Sequence, residues 1–321
     1  MTEMDSQHLS SEQQSGEICV FSPSPLYTVT IEAGPDDQAD VHFHAGGQGV
    51  WVARMAVCLG SSVTLCAPFG GESGILLRTL IEAEQVSVRP VNSQGWNGGY
   101  IHDRRGGERH VIAEVQSPQL TRHEVDNLYN ATISAGLNAR CVVLTGPAHE
   151  SVLLADVYRR LAHDLSTNGT LVVADLSRNA LKALDGGVYI LKVSHEELID
   201  AGYCHRNEPA QLRAGLDQLQ QTSGARHIVV SRAEAPTLAL IDDRLVNVQA
   251  PRLEPMDPRG AGDSMTAGLA VGSAAGMALD ETLRLAAAAG ALNVTRHGLG
   301  SGQRDHIEQL AKRIDVQPDA G

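Results

Sequence analysis

Short, almost continuously apolar runs alternate along this chain with longer segments in which apolar residues recur at helical spacing. The apolar runs lie at residues 61–70, 140–147, 169–177, 186–194 and 225–233. The longer segments at 151–169 and 208–224 each close with a glycine, which is a common helix stop signal. Strands that read as continuous hydrophobic runs, each followed by a helix, are typical of a parallel sheet covered on both faces. The pattern therefore predicts a doubly wound α/β domain.

Two segments, residues 26–44 and 95–113, break this rhythm. Both alternate between apolar and polar positions, and both contain glycines or other turn residues instead of a helical pattern. We expect their strands to pair into one small sheet that projects from the large one. Such a sheet would act as a lid over a site at the carboxyl ends of the main strands.

The N-terminal segment of the chain differs in composition from the rest. Residues 1–16 are polar and nearly free of large apolar side chains, so they are predicted to form a disordered tail. The remaining residues, 17–315, are predicted to form a single domain. A chain of 321 residues with 42% hydrophobic positions is long enough for one large core and a smaller attachment.

Charge and cysteine usage narrow the classes of partner. The net charge is −13 and the sequence pI is about 5.4, without any run of lysine or arginine. This excludes nucleic acid and an anionic membrane as the main partner and favours a small molecule. The five cysteines are scattered and lack metal-ligand spacing, which indicates buried reduced thiols. The chain also lacks an apolar run long enough to span a membrane, and its N-terminus is polar. We therefore expect a cytoplasmic protein.

The strongest candidate for chemistry is the stretch DPRGAGDSMTAGL at residues 257–269. Gly260 and Gly262 allow backbone N–H groups to crowd together at the start of a helix, whose N-terminal end is positive. This turn predicts an anion hole, and Asp263 lies where it could take a proton from an attacking hydroxyl. The alternative is that Asp263 simply caps the helix.

Several motifs occur around this turn in a characteristic order: AGGQGVWVARMAVCLG (45–60), FGGESG (69–74), LTGP (144–147), ILKVSHEEL (190–198), the GAGD turn and AAAAGALNVTRHGLG (286–300). The series resembles the PfkB (ribokinase-like) carbohydrate kinase family, in particular its phosphofructokinase and tagatose-phosphate kinase branch. The resemblance runs from about residue 18 to about residue 310.

The resemblance implies a three-layer α/β fold with a small β-sheet lid. It also implies transfer of the γ-phosphoryl group of ATP to a hydroxyl of a sugar or sugar phosphate, with Mg²⁺. On this mapping Asp263 is the catalytic base, and the N–H groups of Gly260, Ala261 and Gly262 form the anion hole. The resemblance also implies a homodimer assembled through the lid.

On the nucleotide side, the family's Lys-Pro-Asn-x-x-Glu run is matched by Lys192, Ser194 and Glu197. The resemblance places the lysine near the nucleotide phosphates and gives the glutamate an indirect role in holding magnesium through water. The proline and asparagine are missing here, so Ser194 either binds a metal-bound water or leaves the magnesium site weaker. Without the resemblance, Glu197 could equally belong to a solvated helix face.

Three further residues match the family's nucleotide site: Ser231, Gly290 and Asn293. Helix packing is an alternative role for Gly290 and for Asn293. The glycines expected after Ser231 are replaced by Ala233 and Pro236, so the loop on the phosphate side departs from the family pattern. The sequence also leaves open whether a monovalent ion is required near Asp257.

The acceptor side departs most from the family. Gly46, Gly47, Gln48 and Trp51 stand in the family's Gly-Gly-Lys-Gly-Ile-Asn run, where a lysine and an asparagine are lost. The early strand carries no acid before residue 32, and the usual serine after the LTG stretch is replaced by proline. Trp51 either stacks on a sugar ring or fills the lid interface.

Arg109, or else Arg105, could supply the positive charge that a phosphorylated acceptor needs.

Three interpretations of the function stay open at this point: a phosphofructokinase-like kinase, a kinase of another small alcohol or nucleoside, and a non-catalytic nucleotide- or sugar-binding protein. The intact GAGDS turn favours an active kinase, because a protein that only binds has no need of the base.

Overall fold

The computed structural model describes residues 17–296 and 298–319. The tail predicted at residues 1–16 lies outside the described residues. In chain order the strands of the described part are β1 (Ile18–Phe21), β2 (Leu26–Ala33), β3 (Ala39–Gly46), β4 (Val63–Phe69), β5 (Ser87–Asn92), β6 (Gly99–Asp103), β7 (His110–Val115), β8 (Cys141–Thr145), β9 (Leu171–Asp175), β10 (Ile190–Ser194), β11 (His227–Arg232), β12 (Ala235–Ile241), β13 (Arg244–Gln249) and β14 (Asp315–Pro318).

The helices of the described part, in the same order, are α1 (Gln48–Cys58), α2 (Gly71–Ala83), α3 (Arg122–Gly136), α4 (Asp156–Thr167), α5 (Arg178–Lys182), α6 (His195–Ala201), α7 (Pro209–Ser223), α8 (Ala261–Ala274), α9 (Leu279–Asn293) and α10 (Arg304–Ala311). A short 3₁₀ turn, Pro35–Asp37, connects β2 to β3.

The main sheet has ten strands within the described residues, in the order β14-β13-β12-β11-β10-β9-β8-β1-β4-β5. The strands from β11 to β5 in this order pair in parallel with one another. Five of them, β4, β8, β9, β10 and β11, fall in the predicted apolar runs, whereas β1 and β5 lie outside those runs. The strands from β12 to β14 are antiparallel and extend one edge of the sheet. The predicted, mostly parallel sheet is therefore confirmed, with an antiparallel edge that the apolar runs did not reveal.

Helices cover both faces of this sheet, which gives three layers. Successive residues of β1 show the arrangement, because side chains alternate between the faces of a strand. Ile18 and Val20 pack into the core shared with α1, α2, α8, α9 and α10. Cys19 and Phe21 pack into the core shared with α3, α4, α5, α6 and α7. The predicted doubly wound architecture is confirmed.

A second sheet forms the lid, with the strand order β3-β2-β6-β7. Its strands fall in the two segments that break the α/β rhythm, although β3 and β7 each end slightly beyond the predicted limits. The pairing register places five apolar side chains on one face, here called the outer lid face: Val29, Ile31, Val41, Phe43 and Ile101. Val41 and Phe43 are about half exposed, at 46% and 51%.

Two further findings concern the whole described chain. None of the helices in the described ranges is long and apolar enough to cross a membrane. All five cysteines are free thiols, and four of them are buried.

Candidate active site

The centre of the candidate site is a buried ion pair at the carboxyl ends of two neighbouring strands. Lys192 on β10 lies in register with Asp175, the last residue of β9. The Lys192 Nζ atom lies 3.3 and 3.2 Å from the two carboxylate oxygens of Asp175. The hydroxyl of Thr266, on α8, donates to Asp175 Oδ2 at 2.6 Å. Asp175 therefore connects a strand end, a lysine and the first turns of α8.

The GAGD turn forms the N-terminus of α8, beside this ion pair. Gly260 is the N-cap and has a left-handed conformation with φ 73°, which favours glycine. A Cβ atom on Gly262 would lie 2.7 Å from Lys192 Nζ, so a larger residue here would displace the lysine ammonium group. The first N–H groups of a helix have no partner within it, and here they belong to the turn that contains Asp263. The structure thus brings Gly260, Gly262, Asp263 and Lys192 together.

Burial and neighbouring charges change the acidity of this cluster. Burial, together with the nearby charges of Asp175 and Glu197, raises the pKa of Asp263 to about 7, against the opposing effect of Lys192. Burial alone would lower the pKa of Lys192, but the surrounding carboxylates outweigh that effect and raise it. The site therefore pairs a permanently charged ammonium group with a carboxyl group that titrates near neutrality, where a proton acceptor is most useful.

Ser194 and Glu197 form a capping box at the start of α6. The Glu197 N–H donates to Ser194 Oγ at 3.1 Å, and the Ser194 N–H donates to Glu197 Oε2 at 2.6 Å. Burial, opposed by the charge of Lys192 and supported by that of Asp175, raises the pKa of Glu197. The Glu197 carboxylate is thus oriented by the backbone N–H of Ser194, and hydrogen bonding from Ser194 partly offsets the rise in its pKa.

The other residues assigned to the nucleotide side occupy distinct places. Ser231 lies on β11 in register with Ser194 and donates to the carbonyl of Val193 at 3.5 Å. A Cβ atom on Gly290 would lie 3.0 Å from the carbonyl oxygen of Ala261, so this glycine permits α9 to pack closely against the start of α8.

Asn293 is only 1% exposed and holds two loops together. Its Nδ2 atom donates to the carbonyl of Arg259 at 2.7 Å, and its Oδ1 atom accepts from the N–H of Gly300 at 2.9 Å. Arg259 in turn binds the buried carboxylate of Asp257. Asn293 therefore supports the turn that precedes α8.

On the acceptor side, the glycines and Gln48 are engaged with the protein itself. Gly47 has a left-handed φ of 97°, and a Cβ atom there would lie 2.7 Å from the carbonyl oxygen of Ser24. The Gln48 side chain accepts from the N–H of Gly146 at 2.8 Å and donates to the carbonyl of Asp175 at 3.2 Å. Gln48 thus fastens the start of α1 to the ends of β8 and β9.

Trp51 and Arg109 flank this region from α1 and from the lid. A Cβ atom on Gly46 would lie 3.3 Å from both the indole nitrogen of Trp51 and the side chain of Leu26, so the edge of the indole ring and an aliphatic side chain adjoin this glycine. The Arg109 guanidinium donates to His102 Nε2 on the neighbouring lid strand. Burial, together with the charges of Arg259 and Arg104, lowers the pKa of His102. This face of the lid therefore turns toward the residues before α8.

A cavity of about 560 Å³ opens beside Glu197, at the ends of β8 and β9. Its lining includes Pro147, Ser177, Arg178 and Asp200. Arg178 has a left-handed φ of 51°, which is uncommon for a residue with a side chain. Glu197 is among the residues that line this cavity.

Sequence reasoning missed Asp175, Thr266 and the pairing of Arg259. A signal for Asp175 was available, because an acid that ends a buried strand lies at the same sheet edge as Lys192. Within residues 17–296 and 298–319, no group of three or more His, Cys, Asp or Glu side chains is arranged to hold a metal ion.

Comparison with known proteins places this geometry in context. A family model described as pfkB family carbohydrate kinase matches residues 24–306. The ATP-dependent 6-phosphofructokinase isozyme 2 of Mycobacterium tuberculosis is 29% identical over 271 residues, which span 84% of this chain and 79% of that protein. The 1-phosphofructokinase of Vibrio cholerae is 28% identical over 281 residues, which span 85% of this chain and 86% of that protein.

A solved structure gives the same picture of the fold. The phosphofructokinase-2 of Escherichia coli, crystallised in complex with potassium, superimposes with a TM-score of 0.81 at 22% identity. The superposition covers 92% of this chain and 98% of that one.

Proposed function

The chain belongs to the pfkB family of carbohydrate kinases, and on that basis we propose that it transfers the γ-phosphoryl group of ATP to a hydroxyl group of a sugar phosphate. The observation that carries this proposal is Asp263, whose pKa is raised to about 7, in the first turn of α8 and close to the buried charge of Lys192. Relatives named as 6-phosphofructokinase and 1-phosphofructokinase support a phosphorylated sugar as acceptor.

Asp263 acts as the general base in this proposal. The acceptor hydroxyl donates its proton to the carboxylate while its oxygen attacks the γ-phosphorus in line with the leaving ADP oxygen. A base with a pKa near 7 is largely ionised at slightly alkaline pH and still has a strong affinity for the proton it receives. Closure of the lid would exclude water and keep the phosphoryl group for the acceptor.

The turn before α8 would stabilise the negative charge of the phosphoryl group during its transfer. The N–H groups of Gly260, Ala261 and Gly262 lie at the positive end of a 14-residue helix. Lys192, held by Asp175, brings an ammonium group to the same helix end and is assigned to the nucleotide phosphates. Positioning and charge stabilisation carry most of the catalysis in such a reaction.

Magnesium fits the donor set of this site only in part. Mg²⁺ prefers oxygen ligands and usually keeps several waters while it binds one or two carboxylates and the substrate phosphates, whose charge it neutralises. The carboxylate of Glu197 would hold such an ion through a water molecule. Ser194 already accepts a hydrogen bond from the N–H of Glu197 in the capping box. We therefore propose that its role is to orient Glu197.

The remaining nucleotide contacts are assigned to Ser231, Gly290 and Asn293. Ser231 lies on the strand beside Ser194 and would face the phosphates or ribose. Gly290 and Asn293 act through the packing of α9 against the turn, since Asn293 holds the carbonyl of Arg259 in place.

The acceptor is assigned to the space between the lid and α1, beside Gly46, Gly47, Gln48 and Trp51. Arg109 on the lid supplies a cation for a phosphate group on the acceptor. One observation favours a second candidate, a kinase of an acceptor other than a common hexose phosphate. Both polar ends of Gln48 are bound to the main chain, and Leu26 and Trp51 adjoin Gly46, so this wall offers fewer polar groups to a sugar.

A homodimer assembled through the lid completes the proposal. The outer lid face exposes apolar side chains, including Val41 and Phe43, that a second copy of the chain would cover. A sedimentation experiment distinguishes a dimer from a monomer directly.

A monovalent-ion requirement near Asp257 was left open by the sequence, and the structurally similar phosphofructokinase-2 of Escherichia coli was crystallised in complex with potassium. On this chain, Asp257 is the buried carboxylate that precedes the anion hole, and it is 6% exposed. Its carboxylate is paired with the guanidinium group of Arg259, which brings a positive charge to this turn.

The function is tested by incubating the protein and its Asp263→Asn variant with Mg-ATP and a panel of acceptors. The panel contains phosphorylated sugars, free sugars, nucleosides and simple polyols, and ADP release is measured. Release that depends on one acceptor class and is lost in the variant supports the proposal and identifies the acceptor. Tight nucleotide binding without release on any acceptor would instead support a non-catalytic binding protein.

A further inference from the structure

The turn before the anion hole contains a buried carboxylate that needs a positive partner. Asp257 is 6% exposed, and its N–H donates to the carbonyl of Val294 at 3.0 Å, so it is fixed against the end of α9. An ionised carboxylate that is buried without a cation is strongly destabilising. Either a bound monovalent ion or a side chain must therefore supply the charge.

Arg259 supplies it from two residues further along the chain. The guanidinium Nε atom donates to Asp257 Oδ1 at 2.8 Å, and Nη2 donates to Oδ2. The backbone N–H of Arg259 also donates to Oδ1, at 3.1 Å. Both carboxylate oxygens are thus occupied by a two-pronged contact, which is the geometry in which arginine binds carboxylates most strongly. Asp257 does not fit a potassium ion as a ligand in this arrangement.

The same arginine is tied to the rest of the turn. Its carbonyl oxygen accepts from Asn293 Nδ2 at 2.7 Å, and the next residue is Gly260, the left-handed N-cap of α8. The backbone that presents the anion-hole N–H groups therefore begins at a residue fixed on both sides, by Asp257 and by Asn293.

We propose that the guanidinium group of Arg259 takes the place of a monovalent cation at this turn. Arg259 is then a positioning residue that holds the anion hole in its active geometry, and the kinase works without potassium. The activity part of this inference rests on the proposed function, whereas the ion dependence of folding does not.

The first experiment compares the unaltered protein in potassium chloride and in tetramethylammonium chloride at equal ionic strength. We expect the rate of ADP release and the midpoint of thermal unfolding to be the same in both salts, because the cation is built into the chain. Activation by potassium that saturates with its concentration would overturn the inference.

The second experiment removes the built-in cation with Arg259→Thr. In tetramethylammonium chloride this variant should lose about 10- to 100-fold in ADP release, the loss expected when catalytic groups are misplaced by about 1 Å. Titration with potassium chloride should restore much of the rate and raise the midpoint of thermal unfolding. Arg259→Lys, which keeps a positive charge, should be less impaired and respond less to potassium.

The matched control is Arg159→Ala, which removes a similar arginine from an exposed pair with Asp156 on α4. Its rate and unfolding midpoint should not respond to the choice of salt. If Arg259→Thr is folded but equally impaired in both salts, the guanidinium does not replace an ion and the inference fails. If Arg259→Thr does not fold, Arg259→Lys and the salt comparison on the unaltered protein decide the question.

The proposed function and this inference fail in different ways. If no acceptor supports ADP release, the kinase assignment is lost, but a potassium-dependent unfolding midpoint in Arg259→Thr alone still supports the inference. If ADP release is found and the unaltered protein requires potassium, the kinase assignment stands and the inference is wrong.

Discussion

Replacing Asp263 by asparagine should affect both catalysis and stability, because the carboxyl group at the start of α8 serves as the base and is also costly to ionise. The change keeps the shape of the side chain but removes the charge and the ability to accept a proton. We expect ADP release to fall by about 10²- to 10⁴-fold, the usual contribution of a general base. Nucleotide binding should change little, because Lys192 and the anion-hole N–H groups remain in place.

The same substitution should stabilise the folded protein at high pH. The pKa of Asp263 is raised from 3.8 to about 7, mainly by burial. At about 1.4 kcal/mol for each pH unit, ionising it costs up to about 4 kcal/mol more in the folded protein than in the unfolded chain. Since the residue keeps partial solvent contact, screening reduces the expected effect to about 2 kcal/mol.

The sign of this effect follows from proton binding. Between about pH 4 and pH 7 the folded protein holds a proton on Asp263 that the unfolded chain has lost, so stability falls as the pH rises through this window. Asparagine carries no such penalty. Asp263→Asn should therefore resist urea better than the unaltered protein at pH 8, and the two should converge toward pH 4.

Urea unfolding at several pH values measures the stability difference, and calorimetry measures nucleotide affinity. Asp217→Asn, at an exposed position on α7, is the control and should shift neither. In the unaltered enzyme, kcat should rise with pH through about 7 as Asp263 ionises. A variant that retains near-normal activity would refute the role as base, and an unchanged pH dependence of stability would refute the argument from burial.

Three further changes test other parts of the site. Gly262→Ala places a Cβ atom 2.7 Å from Lys192 Nζ and should lower kcat at least about tenfold, whereas Gly106→Ala, in open space, should not. Thr266→Val removes the hydroxyl bonded at 2.6 Å to the carboxylate at the end of β9, and urea unfolding should show a loss of about 1–3 kcal/mol. Phe43→Glu puts a charge on the outer lid face and should convert a lid-mediated dimer to monomer in sedimentation velocity, with the far-UV spectrum unchanged.

Most of the parallel part of the main sheet could be predicted from sequence, because β4, β8, β9, β10 and β11 read as apolar runs. The strand β5, SVRPVN, could not, because half of its side chains are polar or charged. The antiparallel edge could not, because its turns lack the usual residues. Asp242 and Asp243 occupy left-handed conformations between β12 and β13, with φ of 46° and 59°, where asparagine and glycine are expected. Ala233, between β11 and β12, is likewise left-handed with φ 50°. The turns therefore form without the glycine or asparagine from which a hairpin is usually recognised in a sequence.

The candidate site was predictable where a motif is local and unpredictable where it depends on strand register. The GAGD turn can be recognised from four consecutive residues, and the left-handed conformation of Gly260 is the one expected for glycine at this turn. The contact of Asp175 with Lys192 and Thr266 requires knowledge of which strands are neighbours. The bonds that engage Gln48 with Gly146 are of the same kind, since they join residues far apart in the chain.

The way the lid is threaded bears on how the protein refolds after denaturation. Its central strands, β2 and β6, pair in parallel, and β3, α1, β4, α2 and β5 all lie between them in the chain. Closing such a long loop costs entropy that only a partly formed main sheet can offset, and non-local pairings of this kind form slowly. During refolding, the ability to bind nucleotide should therefore return before the ability to phosphorylate an acceptor.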